Sequence, residues 1–66
     1  MKITVNGQSK ETEENLTVAN LLVQFHVQNE RVAVEWNGQI LNRESFAEHT
    51  LQDGDVVEIV RFVGGG

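Results

Sequence analysis

The residues of this chain best suited to do chemistry are its last ones, Val63-Gly64-Gly65-Gly66. Three glycines carry no β-carbon to pack against a folded body, and glycine has the most backbone freedom to lose on ordering. They are expected to form a flexible tail. Fully extended it reaches about 10 Å, with the α-carboxylate of Gly66 at its tip. No side chain obstructs such a tail in a narrow channel, so another protein's active site can enclose Gly64, Gly65 and Gly66 and act on the carboxylate. The plainer reading is a frayed end or a linker, which is the usual meaning of terminal glycines. The segment that feeds the tail favours the first reading.

The other reactive groups are few. There is no cysteine, which excludes a disulfide framework, a thiolate zinc site and a thiol nucleophile. Hydroxyls, amines, carboxylates and the chain end remain. His26 and His49 lack ligand spacing with one another, so no metal site is expected. Asp53 and Asp55 flank Gly54, where aspartate serves a turn by accepting hydrogen bonds from nearby backbone amides; a paired-carboxylate acid/base site is the alternative. No Gly-x-x-x-x-Gly-Lys loop or other phosphate cradle is present.

Sixty-six residues make one small domain that buries about 60% of its unfolded surface. A deep substrate pocket would compete with that core for volume, so a carrier or binding role is expected rather than an enzyme. Five basic against ten acidic residues leave a net charge of −5, which repels phosphate backbones and argues against nucleic acid as a partner. A basic protein surface suits it better, through electrostatic steering. No apolar run approaches the roughly 20 residues of a membrane span, and Met1-Lys2-Ile3-Thr4-Val5 does not read as a signal peptide. The expected compartment is the cytoplasm, with no membrane partner.

The elements that must hold the tail follow from periodicity. Residues 1–6 alternate, with Ile3 and Val5 on one face, and predict a half-buried strand. Asn6-Gly7 signals a tight hairpin, and the polar return strand, Gln8 to Thr12, suits a sheet edge. Thr17 is a good helix N-cap. Val18, Leu21, Leu22 and Phe25 follow at i, i+3, i+4 and i+7, an apolar stripe facing the core, with the helix fraying through His26. Residues 31–36 alternate again, with Val32, Val34 and Trp36 on one face. Asn37-Gly38 signals a second hairpin into Gln39-Ile40-Leu41. A single helical turn is expected between Arg43 and His49 with Phe46 inward, then a turn at Asp53-Gly54-Asp55 and a last strand over 56–62. Trp36 either completes the inward row or ends at the rim. The order ββαββ with one late strand predicts an α+β domain over 1–63, a mixed sheet of four to five strands packed on one helix. The last strand lies beside the first and parallel to it, joined through the helix-containing crossover. Val57 and Ile59 then face the helix, and Glu58, Val60 and Phe62 point outward by period two. Val60 and Phe62, two outward apolar residues beside the tail, form a candidate docking patch.

Val32-Ala33-Val34, Asn37-Gly38, and Leu51-Gln52-Asp53-Gly54-Asp55-Val56-Val57-Glu58-Ile59-Val60 running into Phe62-Val63-Gly64-Gly65-Gly66 resemble the ThiS family of sulfur carriers in thiamin biosynthesis, over the whole chain. The chain departs from the family's pattern at Asn42, where many members have proline, and at Phe46, where tryptophan is frequent. The resemblance implies a β-grasp, ubiquitin-like fold. It also implies that Gly66 is adenylated by a ThiF-like activating enzyme using ATP and magnesium, with no cofactor bound by this chain. Gly66 is then converted to a thiocarboxylate with sulfur drawn from cysteine by a donor enzyme, and serves a ThiG-like thiazole synthase. The residue chemistry agrees, because a carboxylate is a poor electrophile until an activating group gives it a leaving group. The small subunit of molybdopterin synthase, a ubiquitin-like protein modifier and an inert interaction domain are the competing readings.

Overall fold

Ile3 and Val5 project to one side of β1 (Lys2–Val5) and are buried, as their alternation predicts. The computed structural model describes residues 1–62; Val63 to Gly66, and with them the expected boundary between body and tail, lie outside the described residues. β1 turns through Asn6 (φ 51°) and Gly7 (φ 81°) into β2 (Gln8–Glu11). Positive φ at both central residues marks a type I′ turn, whose twist matches that of the strands it joins. β3 (Val32–Trp36) and β4 (Gln39–Ile40) repeat the arrangement through Asn37 (φ 48°) and Gly38 (φ 86°).

Helix α1 (Val18–Gln24) begins where Thr17 Oγ accepts a hydrogen bond from the Asn20 N–H at 3.1 Å. The first-turn amides of Val18 and Ala19 donate to the carbonyls of His49 and Phe46, so the donors that a helix start leaves free are taken. The far end does not fray. The N–H of His26 donates to Val23 and that of Val27 to Leu22, with His26 in the left-handed region at φ 59°, a Schellman closure with histidine where glycine is usual. Phe25 therefore caps the helix instead of extending its stripe: it is half-buried against the core, with Lys10 Nζ 5.4 Å from its ring centre.

β5 (Val56–Arg61) completes a five-stranded sheet in the order β2-β1-β5-β3-β4. It runs parallel to β1 (Thr4 beside Val56, Val5 beside Val57) and antiparallel to β3 (Val32 beside Arg61 through Trp36 beside Val57). The helix covers one sheet face. Val18, Leu21 and Leu22 meet Ile3, Val5, Val32, Val34 and Val57, and the layer is closed by Leu16, Leu51 and Phe46. Phe46 follows a 3₁₀ turn over Arg43–Ser45 and is buried, the inward position expected of it. The fold is the β-grasp arrangement that the sequence predicts, with all five strands present. No helix among the described residues is long and apolar enough to cross a membrane.

Candidate functional site

Every residue that could present the tail belongs to β5 or to what grips it. The Leu51-Gln52-Asp53-Gly54-Asp55 segment is a double clasp at the strand's start. Asp53 Oδ1 accepts the Lys2 N–H at 2.7 Å, and the Gly54 N–H donates to the Lys2 carbonyl at 2.8 Å, so the turn holds the beginning of β1. Gly54 sits at φ 89°, a conformation that costs glycine nothing. Asp55 is turned the other way and is only 8% exposed. Its Oδ2 accepts from Trp36 Nε1 (2.9 Å) and the Gln52 N–H (2.8 Å), and its Oδ1 from Asn37 Nδ2 (3.1 Å). Burial pushes this carboxyl's pKa upward, but the hydrogen bonds from Trp36, Gln52 and Asn37, with the nearby His49, outweigh it and hold the pKa below 3.8. The two aspartates thus serve separate strands, as turn residues and not as an acid/base pair.

Both hairpin asparagines also reach β5. Asn6 Oδ1 accepts the Ile59 N–H at 2.7 Å and Asn6 Nδ2 donates to the Ile59 carbonyl at 3.3 Å, which continues the β1–β5 ladder past the end of β1. Asn37 Oδ1 accepts the Val56 N–H at 2.8 Å, and the Asn37 N–H donates to the Val56 carbonyl. Period-two reading assigns these residues to turns alone. Their reach to β5 has no local signal, because the partners lie 53 and 19 residues away.

Beyond Ile59, β5 borders only β3 among the described residues, and the Phe62 N–H donates to the Arg31 carbonyl at 2.9 Å. Val60 and Phe62 are 56% and 58% exposed, in agreement with the predicted outward phase, while Val57 is fully buried and Ile59 packs against the core. Val56 and Ile40 add to the exposed apolar residues. Val56 shares the open phase of β5, and Ile40 stands opposite Glu35 across β3–β4. Between them Glu35 lies directly opposite Glu58, a like-charged cross-strand pair of a kind that destabilises a sheet. Val60 and Phe62 therefore mark one end of a larger open face that sequence reasoning had only partly outlined.

The histidines occupy opposite ends of α1. His26 closes its C-terminal end, while the carbonyl of His49 caps its N-terminal end and the His49 ring meets Trp36 edge-on at 4.5 Å. Trp36 is half-buried, the rim position. No group of three His, Cys, Asp or Glu side chains among the described residues could hold a metal ion. Gly64, Gly65 and Gly66, the expected working residues, lie outside the described residues.

The ThiS family model matches residues 3–66. The chain is 40% identical to the sulfur carrier protein ThiS of Bacillus subtilis, over 97% of this chain and 98% of that one. It is 41% identical to a thiazole synthase of Paramagnetospirillum magneticum, over all of this chain, which spans only 20% of that protein's length. A second thiazole synthase, from Magnetococcus marinus, is 38% identical over all of this chain, again over 20% of its own length. The crystal structure of the thiamine biosynthesis protein ThiS from Geobacter metallireducens superposes with a TM-score of 0.85 at 46% identity, covering the whole of both chains.

Proposed function

The chain belongs to the ThiS family, and from that premise we propose that it is a sulfur carrier of thiamin biosynthesis, acting as a co-substrate of other enzymes and not itself an enzyme. The carboxylate of Gly66 attacks the α-phosphorus of ATP in the active site of a ThiF-like activating enzyme, where magnesium accompanies the nucleotide. Pyrophosphate leaves and a mixed anhydride with AMP remains. A sulfide-level sulfur nucleophile supplied by a donor enzyme, its sulfur drawn ultimately from cysteine, then attacks the acyl carbon and expels AMP to leave a thiocarboxylate. That group supplies the sulfur of the thiazole ring in a ThiG-like thiazole synthase. The cytoplasm is the compartment in which these partners would meet it.

The observation that carries the proposal is the asymmetry of β5. Its first half is gripped on both sides by Asn6, Asn37 and the Asp53–Asp55 clasp, while Val60 and Phe62 stand exposed immediately before Val63 and the three glycines. A folded body that offers an apolar step beside residues without side chains suits delivery of the chain's end into a partner's channel. The similarity of this chain to a stretch that makes up a fifth of two thiazole synthases supports the synthase as one such partner, since the two proteins of a transient complex are candidates to be joined in one chain.

The test is intact-mass analysis of protein taken from its native cells under thiamin limitation, paired with ATP–pyrophosphate exchange on the purified activating enzyme. Exchange of one carboxylate oxygen for sulfur is expected in a fraction of the protein, and removal of Gly66 should abolish exchange by displacing the reacting carbon one residue from the nucleotide. A terminus that is always a plain carboxylate, or normal activation of a chain ending at Gly65, would overturn the proposal.

A further inference from the structure

This chain carries five cations against ten carboxylates, yet two of its three arginines converge on one concavity. A groove of about 310 Å³ opens between the C-terminal end of α1, the 3₁₀ turn Asn29–Arg31 and the end of β5, lined by His26, Arg31, Arg61 and Phe62. Its walls are fixed by main-chain bonds. Arg61 is in register with Val32, the Phe62 N–H donates to the Arg31 carbonyl, and the Arg31 N–H donates to the Gln28 carbonyl. His26 is held at φ 59°, and the three other non-glycine residues at positive φ among the described residues are all asparagines. The one ion pair among the described residues joins the Met1 amino group to Glu14, so neither groove arginine is matched by a carboxylate there. Cations also gather at helix C-termini to offset free carbonyls, but the carbonyls of Leu21, Leu22 and Val23 already accept the N–H groups of Phe25, His26 and Val27.

We propose that this groove receives an acidic segment, Asp or Glu side chains, of the activating enzyme that encloses the tail; the inference rests on the carrier function proposed above. Phe62 lines the groove and directly precedes Val63 and the three glycines in sequence, so a protein that takes hold of the chain's end is brought beside the groove. The class of ligand follows from the two arginines that line the groove, Arg31 and Arg61. Guanidinium groups bind carboxylates through two parallel hydrogen bonds, which fix orientation as well as charge. On a surface of net charge −5 an acidic segment is repelled elsewhere, so the groove sets the docking angle while the apolar step supplies contact area.

The decisive variant is Arg31→Glu/Arg61→Glu, compared with Lys2→Glu/Arg43→Glu, which has the same net charge and leaves the groove intact. Calorimetric titration against the activating enzyme should show binding weakened about tenfold or more by the groove variant and its salt dependence flattened, with the control near wild type and circular dichroism unchanged in both. Titration of the ¹⁵N-labelled full chain with hexaglutamate should shift amides at 26–28, 31–32 and 61–62, and the groove variant should lose those shifts. Equal weakening by both variants, wild-type affinity in the groove variant, shifts spread evenly over Lys2, Lys10 and Arg43, or the same groove shifts from inorganic phosphate at matched charge would each overturn the assignment. Failure of the wild-type chain to bind the activating enzyme would sink the carrier reading instead, and the hexaglutamate titration would still judge the groove.

Discussion

The two ends of β5 are built by opposite rules. From its start through Ile59, Asp55 gathers three hydrogen bonds, Asn37 pairs with Val56 and Asn6 pairs with Ile59, so side chains from β3 and from the two hairpins converge on a few consecutive residues. At its end, among the described residues, only β3 and the Arg31 carbonyl before it hold the strand, and Val60, Arg61 and Phe62 are exposed. The first end spends polar side chains on fixing position; the second leaves its side chains uncommitted. The carrier role proposed above would draw on both. Without the anchor, the direction of the exit would wander. With side chains bonded all the way to Phe62, none would be left to contact a partner.

If that contrast is right, mutations at the anchored end should be felt in stability and those at the exit in binding. Asp55→Ala is the largest expected effect. It leaves the part-buried donors of Trp36, Asn37 and Gln52 without their acceptor, and loss of such hydrogen bonds to a charged group costs about 1.5–3 kcal/mol. Urea unfolding followed by the fluorescence of Trp36, the single tryptophan, should shift accordingly. A loss no larger than that of a surface substitution would remove Asp55 from the anchor.

Asp55 also predicts a pH dependence. Its folded pKa lies below the 3.8 of a free carboxyl, so the unfolded chain takes up its proton first as pH falls. The stabilisation is fully present above the unfolded value and is lost as pH drops below 3.8 and on through the lower folded value. Asp55→Asn should flatten that part of the stability–pH curve. An unchanged acid limb would mean that other carboxylates set it.

The asparagine grips come next. Asn6→Gly and Asn37→Gly keep the positive φ that each turn needs while deleting the side-chain bonds to β5, and each should cost about 1 kcal/mol. Hydrogen exchange at Ile59 should accelerate in the first variant and at Val56 in the second. Protection left intact would show that main-chain pairing alone anchors the strand.

At the exit, Val60→Ser/Phe62→Ser should change unfolding free energy by about 0.5 kcal/mol or less, as surface substitutions do. The same change should weaken the complex with the activating enzyme, since an apolar side chain contributes about 1.5–3 kcal/mol on full burial. Wild-type binding by this variant would move the docking surface elsewhere. The smallest effect has the opposite sign: Glu58→Gln relieves the charge pair with Glu35 and should stabilise by a few tenths of a kcal/mol, up to about 1. If it stabilises the fold but weakens partner binding, the paired carboxylates belong to the open docking face.

Local pattern was enough for most of the scaffold. Ile3, Val5, Val32, Val34 and Val57 alternate because one sheet face is dry, Asn-Gly pairs turn because both positions need positive φ, and Thr17 starts a helix because its hydroxyl satisfies a free amide. Even the outward phase of Val60 and Phe62 follows from counting by two along β5. The helix end was misjudged, since a Schellman closure normally announces itself with glycine and here uses His26.

The remainder was decided only when distant segments met. Asn6 and Ile59 are 53 residues apart, Lys2 and Asp53 are 51 apart, and Trp36 and Asp55 are 19 apart, so no window on the chain contains both partners of any of these bonds. Arg31 and Arg61 became neighbours because β3 and β5 lie antiparallel in one register, and His26 joined them because the helix closes over the same edge. Side-chain period and backbone preference are properties of a residue and its near neighbours, and the sequence by itself determined whatever depends on them. Which side chain grips which strand, and where charge collects, depend on register and crossover geometry, which exist only in the folded sheet.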